Sequence, residues 1–515
     1  MKRKTLISLL ILLMSNGIIF AKITLPDVLN SGMVLQQKQK DPIWGTSMPG
    51  EKITVLFEGQ HKSTIADTTG HWEIWLDPMQ ASSKPSKMEI SGSNTIVLHD
   101  ILIGEVWLCA GQSNMQLILE STNKGDSVIA SANYPMLRLF NVSRTVAFKH
   151  QSGPLATWQK CTPTSVKDFS AAAYYFGLAL QKKLKVPVGI INAAFGGSEA
   201  EAWTPIEYLH TPDLQPCIDR EKIWDAERPQ VRKEYAEALE KWREYAAKER
   251  AAGREPKEAP HPPDALREYR IAASIYNGMI KPLIPFRIKG VIWYQGENNE
   301  GRAEQYGILL PTMIRAWRAK WQQGNFPFGI VQLPNYRDHK TQPIEDAWSD
   351  LRDAQRWTAD TVKNTGLIVT INIGEAHNIH PKDKFDVGKR MCLWALNFVY
   401  HHPVLGSGPF YQTATVKGKY IIVKFKEVGT GLKVKNGKVL HEFALAGENR
   451  QWHWAQAKII GKNLVKVWSK AVPQPVAVRY AFNSNPRDPN LTNNSGLPAS
   501  PFRSDNWPGS TAGKR

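Results

Sequence analysis

Cysteine is scarce: Cys109, Cys161, Cys217 and Cys392 are the only four in 515 residues. That excludes a disulfide scaffold, and no CxxC spacing suggests a zinc site. A chain of this length buries enough core to fold without such staples. Their pairing, should export expose them to oxidation, cannot be deduced from spacing. Long apolar runs are also missing. Beyond residue 21 no segment approaches 18 uninterrupted apolar residues, so no integral membrane span is expected in the mature chain. With 22% charged and 10% aromatic residues the composition is not that of a disordered chain, and the length allows roughly three domains.

Charge is present in excess. The formal net charge is +18, which invites a nucleic-acid reading. Its distribution argues otherwise. Lys2, Arg3 and Lys4 carry three charges, and residues 401–515 hold 17 Lys/Arg against 5 Asp/Glu. The long middle is nearly neutral, and no nucleic-acid motif accompanies the basic end, so no nucleic-acid partner is expected. In that end segment Lys424, Lys426, Lys433, Lys435 and Lys438 alternate along strand-like runs, the pattern of a solvated sheet face.

The first 21 residues, MKRKTLISLLILLMSNGIIFA, join a basic start to a short apolar core broken by Ser15-Asn16-Gly17. This is the pattern of a secretory signal peptide cleaved after Ala21, and it predicts a periplasmic or extracellular protein. Residues 22–100 alternate apolar and polar in short runs such as Ile53–Phe57 and Trp72–Trp75, separated by turns at Pro49-Gly50 and Thr69-Gly70. They predict a small β-sandwich. Residues 101–400 alternate strands with helices: strands at Val106–Cys109, Val186–Asn192, Val291–Tyr294, Phe328–Val331 and Leu367–Ile373, and helical spacing over 171–184 and Leu309–Trp321. That alternation predicts an α/β domain with a parallel sheet. Within it, residues 219–270 carry 13 Lys/Arg and 13 Asp/Glu. They form a neutral helical insert, read as a solvated hairpin or as a lid. Residues 401–515 return to β patterning and end in a Pro-, Asn- and Ser-rich extended tail.

In a parallel sheet the active residues sit on loops at the carboxyl ends of the strands, and four such loops carry polar groups. Gly111-Gln112-Ser113-Asn114-Met115 follows the first strand. Ser113 there has the setting of an exposed nucleophile, or of a helix cap. Phe195-Gly196-Gly197-Ser198 offers backbone N–H groups to an oxyanion, or is simply a tight turn. Trp293-Tyr294-Gln295-Gly296-Glu297-Asn298-Asn299 supplies the Gln295 amide as a donor to developing charge and Glu297 as an orienting group. Glu375-Ala376-His377-Asn378-Ile379-His380-Pro381 supplies His380 as a general base for Ser113.

Together these loops resemble the SGNH hydrolase superfamily, and more closely its sialate O-acetylesterase family of exported carbohydrate esterases. The likeness runs through GEVWLCAGQSNMQ (Gly104–Gln116), AAFGGSEAEAW (Ala193–Trp203), YNGMIKPLIPFRIKGVIWYQGENN (Tyr276–Asn299), the NIHP segment and GLPASPFRSDNWP (Gly496–Pro508). It implies a three-layer α/β catalytic domain flanked by N- and C-terminal β domains. It also implies Ser113 as nucleophile and His380 as base. The oxyanion hole would be the Ser113 amide, one of Gly196 and Gly197, and the Gln295 side chain. The implied activity is removal of O-acetyl groups from sialic acid or a related glycan, with no cofactor and no metal.

One departure stands out. The family pattern places an acid three residues before the base, as D-x-x-H, and His377 occupies that position. A histidine cannot stabilise an imidazolium as a carboxylate does. Ser113 and His380 then act as a dyad, or Glu375 substitutes, or catalysis is impaired. His377-x-x-His380 lacks a third residue at metal-ligand spacing. The alternatives to a sialate esterase are an acetylxylan-type polysaccharide esterase and a non-catalytic glycan-binding homologue.

Overall fold

Seven strands form the central layer of the catalytic region in the computed structural model, which describes residues 22–148 and 156–515. The expected signal peptide, residues 1–21, lies outside the described residues. The strands are β1 (Thr95–Gly111), β2 (Tyr134–Asn141), β3 (Trp158–Cys161), β4 (Val188–Ala194), β5 (Gly290–Tyr294), β6 (Phe328–Val331) and β7 (Thr365–Ile368). Their order is β7-β6-β5-β1-β4-β2-β3. All neighbours run parallel except the edge pair β2 and β3. Every residue of β4 and of β5 is buried, as expected of parallel strands covered on both faces.

Strand alternation divides the core in two. Trp107, Cys109, Ile190, Ile292 and Tyr294 face one side, against helices α1 (Ala171–Leu184) and α5 (Lys384–Trp394). Val106, Leu108, Ile191, Val291 and Trp293 face the other, against α3 (Ala303–Trp321) and α4 (Ala347–Thr361). The helix starts follow local chemistry. The Ser170 hydroxyl accepts from the Ala173 N–H at 3.2 Å, and Asp346 with Ser349 forms a capping box for α4. Much of the tryptophan content serves this core. Trp107, Trp203, Trp293, Trp317, Trp321 and Trp348 are fully buried, so they take no part in sugar stacking.

Strand β1 is 17 residues long and belongs to two regions. Its first half pairs antiparallel with Ser82–Ser91 of the N-terminal β region, and its second half is the middle strand of the parallel sheet. The strand therefore continues across residue 100, with a kink at Asp100 (φ +59°) where the pairing register shifts, and the two regions share one backbone ladder.

Two expectations change in detail. The last strand ends at Ile368 rather than Ile373, because the chain turns where the Ile373 N–H donates to the Thr370 carbonyl. The charged insert is not a helical hairpin. It is one 37-residue helix, α2 (Gln215–Ala251), followed by an irregular return with short turns at Asp264–Leu266 and Glu268–Arg270. Prolines 256, 260, 262 and 263 deny the return a second helix. The C-terminal segment packs on the catalytic region through buried polar contacts. Arg352 on α4, fully buried, donates to the carbonyls of Leu333, Pro334, Asn483 and Ser484 at 2.6–2.8 Å. One guanidinium thus satisfies two strand-end carbonyls and two tail carbonyls at once.

Trp348 Nε1 also donates to the Pro334 carbonyl and the Tyr336 N–H to that of Ser484, but among the described residues the Leu333 and Asn483 carbonyls have Arg352 alone, so Arg352→Met should lower stability by about 3 kcal/mol. Chemical denaturation would read this as a lower midpoint, and limited proteolysis as earlier cleavage in the tail after residue 482.

Candidate active site

The three central strands end level. In register, Gly111 lies between Ala194 and Tyr294, so the loops that follow β1, β4 and β5 start side by side. Gly111 has φ +146°, and a Cβ there would stand 2.1 Å from the Tyr294 carbonyl oxygen. Only glycine allows the chain to leave the sheet at this point. Ser113 follows as the first residue of a single helical turn, Ser113–Gln116, and is partly exposed. Gln112 is buried and ties this turn to the β5 loop. Its side-chain oxygen accepts the Gly296 N–H at 3.1 Å, and its amide donates to Asn298 Oδ1 at 3.1 Å.

Asn114, fully buried, ties in the base loop. Its amide donates to Glu297 Oε1 at 2.6 Å and to the Ile379 carbonyl at 2.9 Å, and its oxygen accepts from Lys384 Nζ at 2.7 Å. Ser113 and His380 are the chain neighbours of Asn114 and Ile379. One hydrogen bond therefore joins the loop of the expected nucleophile to that of the expected base. Lys384 also donates to the Pro381 carbonyl at 2.8 Å. Burial opposes charge on both ionisable members of the cluster: it pushes Lys384 down to about 7 and raises Glu297 above the usual carboxylate range.

His380 is half-buried. Burial, followed by the nearby Lys384 ammonium, lowers its pKa. A neutral imidazole is the form a general base requires. The candidate acids are all engaged elsewhere. The Glu375 oxygens accept the Lys382 N–H at 2.7 Å and the Asn378 amide at 3.0 Å, closing their own loop. Glu297 is bound to Asn114. His377, at the position of the family acid, has a side chain 82% exposed, 3.7 Å from Asp338. Among the described residues no carboxylate is hydrogen-bonded to the His380 ring, and no group of three or more His, Cys, Asp or Glu side chains forms a metal cluster.

The expected oxyanion donors are distributed unevenly. A Cβ on Gly196 would lie 3.5 Å from the Ser113 Cβ, so the glycine turn borders Ser113. Its own N–H, however, donates to Gln116 Oε1 at 2.6 Å. Gln295 is fully buried, and its amide donates to Asn299 Oδ1 at 2.7 Å and the Ser198 carbonyl at 3.3 Å. These two groups therefore brace the loops. The backbone N–H groups of Ser113 and Gly197 make no hydrogen bond among the described residues. Gly197 sits at φ +75°, a conformation that favours glycine.

Sequence reasoning missed one neighbour of this turn and the charges beneath it. Tyr269, from the return of the charged insert, stacks on Phe195 with centroids 4.9 Å apart. It lies over Gly197, 3.3 Å from where a Cβ would be. The insert therefore reaches the site, and buried charge anchors it there. Arg302 bridges Glu199 at 2.8 Å and Glu201 at 2.9 Å, while Arg220 pairs with Glu201 and Arg270 with Glu199. Against a burial that opposes its charge, Arg302 and Arg220 hold Glu201 well below the carboxylate range. Burial and the Glu201 charge push Glu199 up. The Glu-x-Glu spacing after the glycine turn was the only sequence signal for this cluster.

The comparisons with known proteins fall on these same loops. A family model described as a carbohydrate esterase, sialic acid-specific acetylesterase, matches residues 103–250 and 264–393. The human sialate O-acetylesterase is 27% identical over 522 residues, which span 92% of this chain and 91% of that protein. The rat sialate O-acetylesterase is 29% identical over 405 residues, 72% of each chain. Among solved structures, a carbohydrate acetylesterase from Xanthomonas citri superimposes with a TM-score of 0.79 at 33% identity, covering 94% of this chain and all of that one.

The environment of His380 fixes a pH dependence. Burial and Lys384 disfavour the imidazolium, so the proton leaves below the ordinary value of 6.5. The neutral base is complete above that depressed pKa and is lost as pH falls through it. NMR titration of the His380 ring should place its midpoint below 6.5, and Lys384→Met should move it upward.

Proposed function

The chain belongs to the carbohydrate esterase family of sialic acid-specific acetylesterases, and from that membership we propose that it removes O-acetyl groups from sialic acid or a related glycan through Ser113, His380 and an acetyl-enzyme. The observation that carries the reading is the Asn114 bond to the Ile379 carbonyl, which brings a partly exposed serine and a half-buried neutral histidine to one strand-end site. His380 takes the Ser113 proton as Oγ attacks the acetyl carbonyl carbon. The carbonyl π pair moves onto oxygen, where the N–H groups of Ser113 and Gly197 receive it. Collapse expels the sugar oxygen, which leaves with the proton from His380. Water, deprotonated by the same histidine, then releases acetate and restores Ser113.

In this reading Ser113 and His380 work as a dyad, because Glu375 and Glu297 are bound to other groups. The imidazolium formed in each step lacks a carboxylate and lies near Lys384, so turnover is slower than in a triad. Gly196 and Gln295 act through the loops they brace. The same missing acid favours a second reading, a non-catalytic glycan-binding homologue. Whether the glycan is sialic acid or a plant polysaccharide such as acetylated xylan is a matter for assay. Among the described residues no helix is long and apolar enough to cross a membrane. The basic-apolar start supports export, and mature protein recovered from the envelope or medium should begin at Lys22.

Acetate release from O-acetylated sialic acid and from acetylated xylan, assayed side by side, should favour the sialic acid ester. Ser113→Ala should abolish release in a folded protein, and His380→Ala should cut kcat about 10²–10⁴-fold. An acetyl-ester assay that stays silent, together with no labelling of Ser113 by a serine-directed phosphonate, would leave the glycan-binding reading.

A further inference from the structure

The basic excess of residues 401–515 is not used by the esterase site. Its placement in the fold is specific. Strands β8 (Phe410–Lys417), β9 (Tyr420–Lys426), β10 (Gln456–Ile459) and β11 (Leu464–Trp468) form an antiparallel sheet in the order β8-β9-β11-β10. One face is apolar and buried: Ile421, Val423, Phe425, Ala457, Val465 and Val467 pack into the C-terminal core. The other faces solvent. The expected run of alternating lysines is not what builds it. Lys433 lies on a separate two-stranded sheet, and Lys435 and Lys438 lie beyond that strand's end. Lys424 stays, and the register adds Lys417, Lys458 and Lys466 from the other three strands.

Two features of this face leave positive charge uncompensated by acids of the chain. Lys458 and Lys466 are direct cross-strand partners, a like-charge pair that an antiparallel sheet ordinarily avoids. Among the described residues none of Lys417, Lys424, Lys458 and Lys466 forms an ion pair, whereas Lys426, one position beyond, is bound to Asp360 of α4. The surface also carries half-buried aromatic rings. Tyr420 and Trp468 are register partners, and the Lys466 ammonium sits 4.1 Å from the Tyr420 centroid and 5.8 Å from that of Trp468.

Cations set around aromatic rings on a flat face match a polymer that carries both carboxylates and apolar sugar faces. We propose that this outer sheet face is a binding surface for an acidic, carboxylate-bearing polysaccharide, separate from the esterase site and able to hold the enzyme on such a polymer. Lysines supply charge without fixed geometry, which suits a repeating polyanion better than a single ligand. Two rings, both within reach of the Lys466 ammonium, are a poor platform for stacking successive bases, so nucleic acid is the disfavoured occupant.

The test uses the full mature chain and polygalacturonate as probe, with xylan as a neutral control, in affinity gel electrophoresis at several salt concentrations. The wild type should be retarded by polygalacturonate and not by xylan, and retardation should weaken as salt rises. The triple variant Lys424→Gln, Lys458→Gln, Lys466→Gln should bind at least tenfold more weakly. It should hydrolyse 4-nitrophenyl acetate like the wild type and melt close to it, because relief of the like-charge pair offsets the lost Lys466 contacts with the two rings. The single variant Lys458→Gln, with the least disturbance to packing, should already weaken binding. Polygalacturonate binding that is absent in the wild type or unchanged in the variants would overturn the proposal. So would a DNA duplex bound as tightly as polygalacturonate at equal salt. Loss of 4-nitrophenyl acetate hydrolysis in the wild type would bear on the esterase reading alone, because retardation is read without turnover.

Discussion

Everything at the site depends on the Asn114 side chain. Its three hydrogen bonds draw the loop after β1 to the loop after β5 and to the loop that carries His380. The amide is well suited to this, because it donates and accepts at once and carries no charge of its own. The Glu297 carboxylate and the Lys384 ammonium meet it from opposite directions in a buried setting. Each is costly to bury alone. Together, through a neutral intermediary, their opposite charges compensate while the ends of the loops are held in place. Ser113 therefore stands on the partly exposed side of a turn whose next residue is buried and held by three hydrogen bonds.

The same arrangement sets the surroundings of His380, the proposed base. Lys384 holds Asn114 and the Pro381 carbonyl, and from there its charge falls on His380. That favours the neutral imidazole in the resting site and works against the imidazolium during reaction. In a triad a carboxylate offsets this cost. Here the nearby carboxylates are bound to Asn114, Asn378 and the Lys382 amide, and the residue three positions before His380 faces solvent. The loop keeps its shape by using its acid internally, and His380 is left without one.

Accessory segments join the catalytic domain by a second device, buried arginines. Arg302 with Glu199 and Glu201 secures the start of α2 and the return that carries Tyr269 to the glycine turn. Arg352 secures the tail through four carbonyls. Arg479, paired with Glu345 and Asp505, fixes the last strands against the loop before α4. A guanidinium reaches several acceptors in one plane, so single residues close interfaces for which sequence gives no periodic signal. Lysines, by contrast, remain on the outside of the C-terminal sheet, where their charge is available to something other than the chain itself.

Sequence alone determined what is contiguous. The strands of the parallel sheet were readable because burial on both faces writes unbroken apolar runs, and the four loops were readable because polar residues end those runs abruptly. Ser113, the glycine turn, Gln295 and His380 could be named from that pattern. Tertiary structure decided how those groups are used. The partners of Asn114 lie 183, 265 and 270 residues away, and no local pattern encodes such distances. Whether Gln295 faces the nucleophile or braces a loop, whether Glu375 serves His380 or its own turn, and which lysines share a face all depend on which atoms meet after folding. A hydrogen-bond donor has few positions to fill, and the first partner brought within reach takes it.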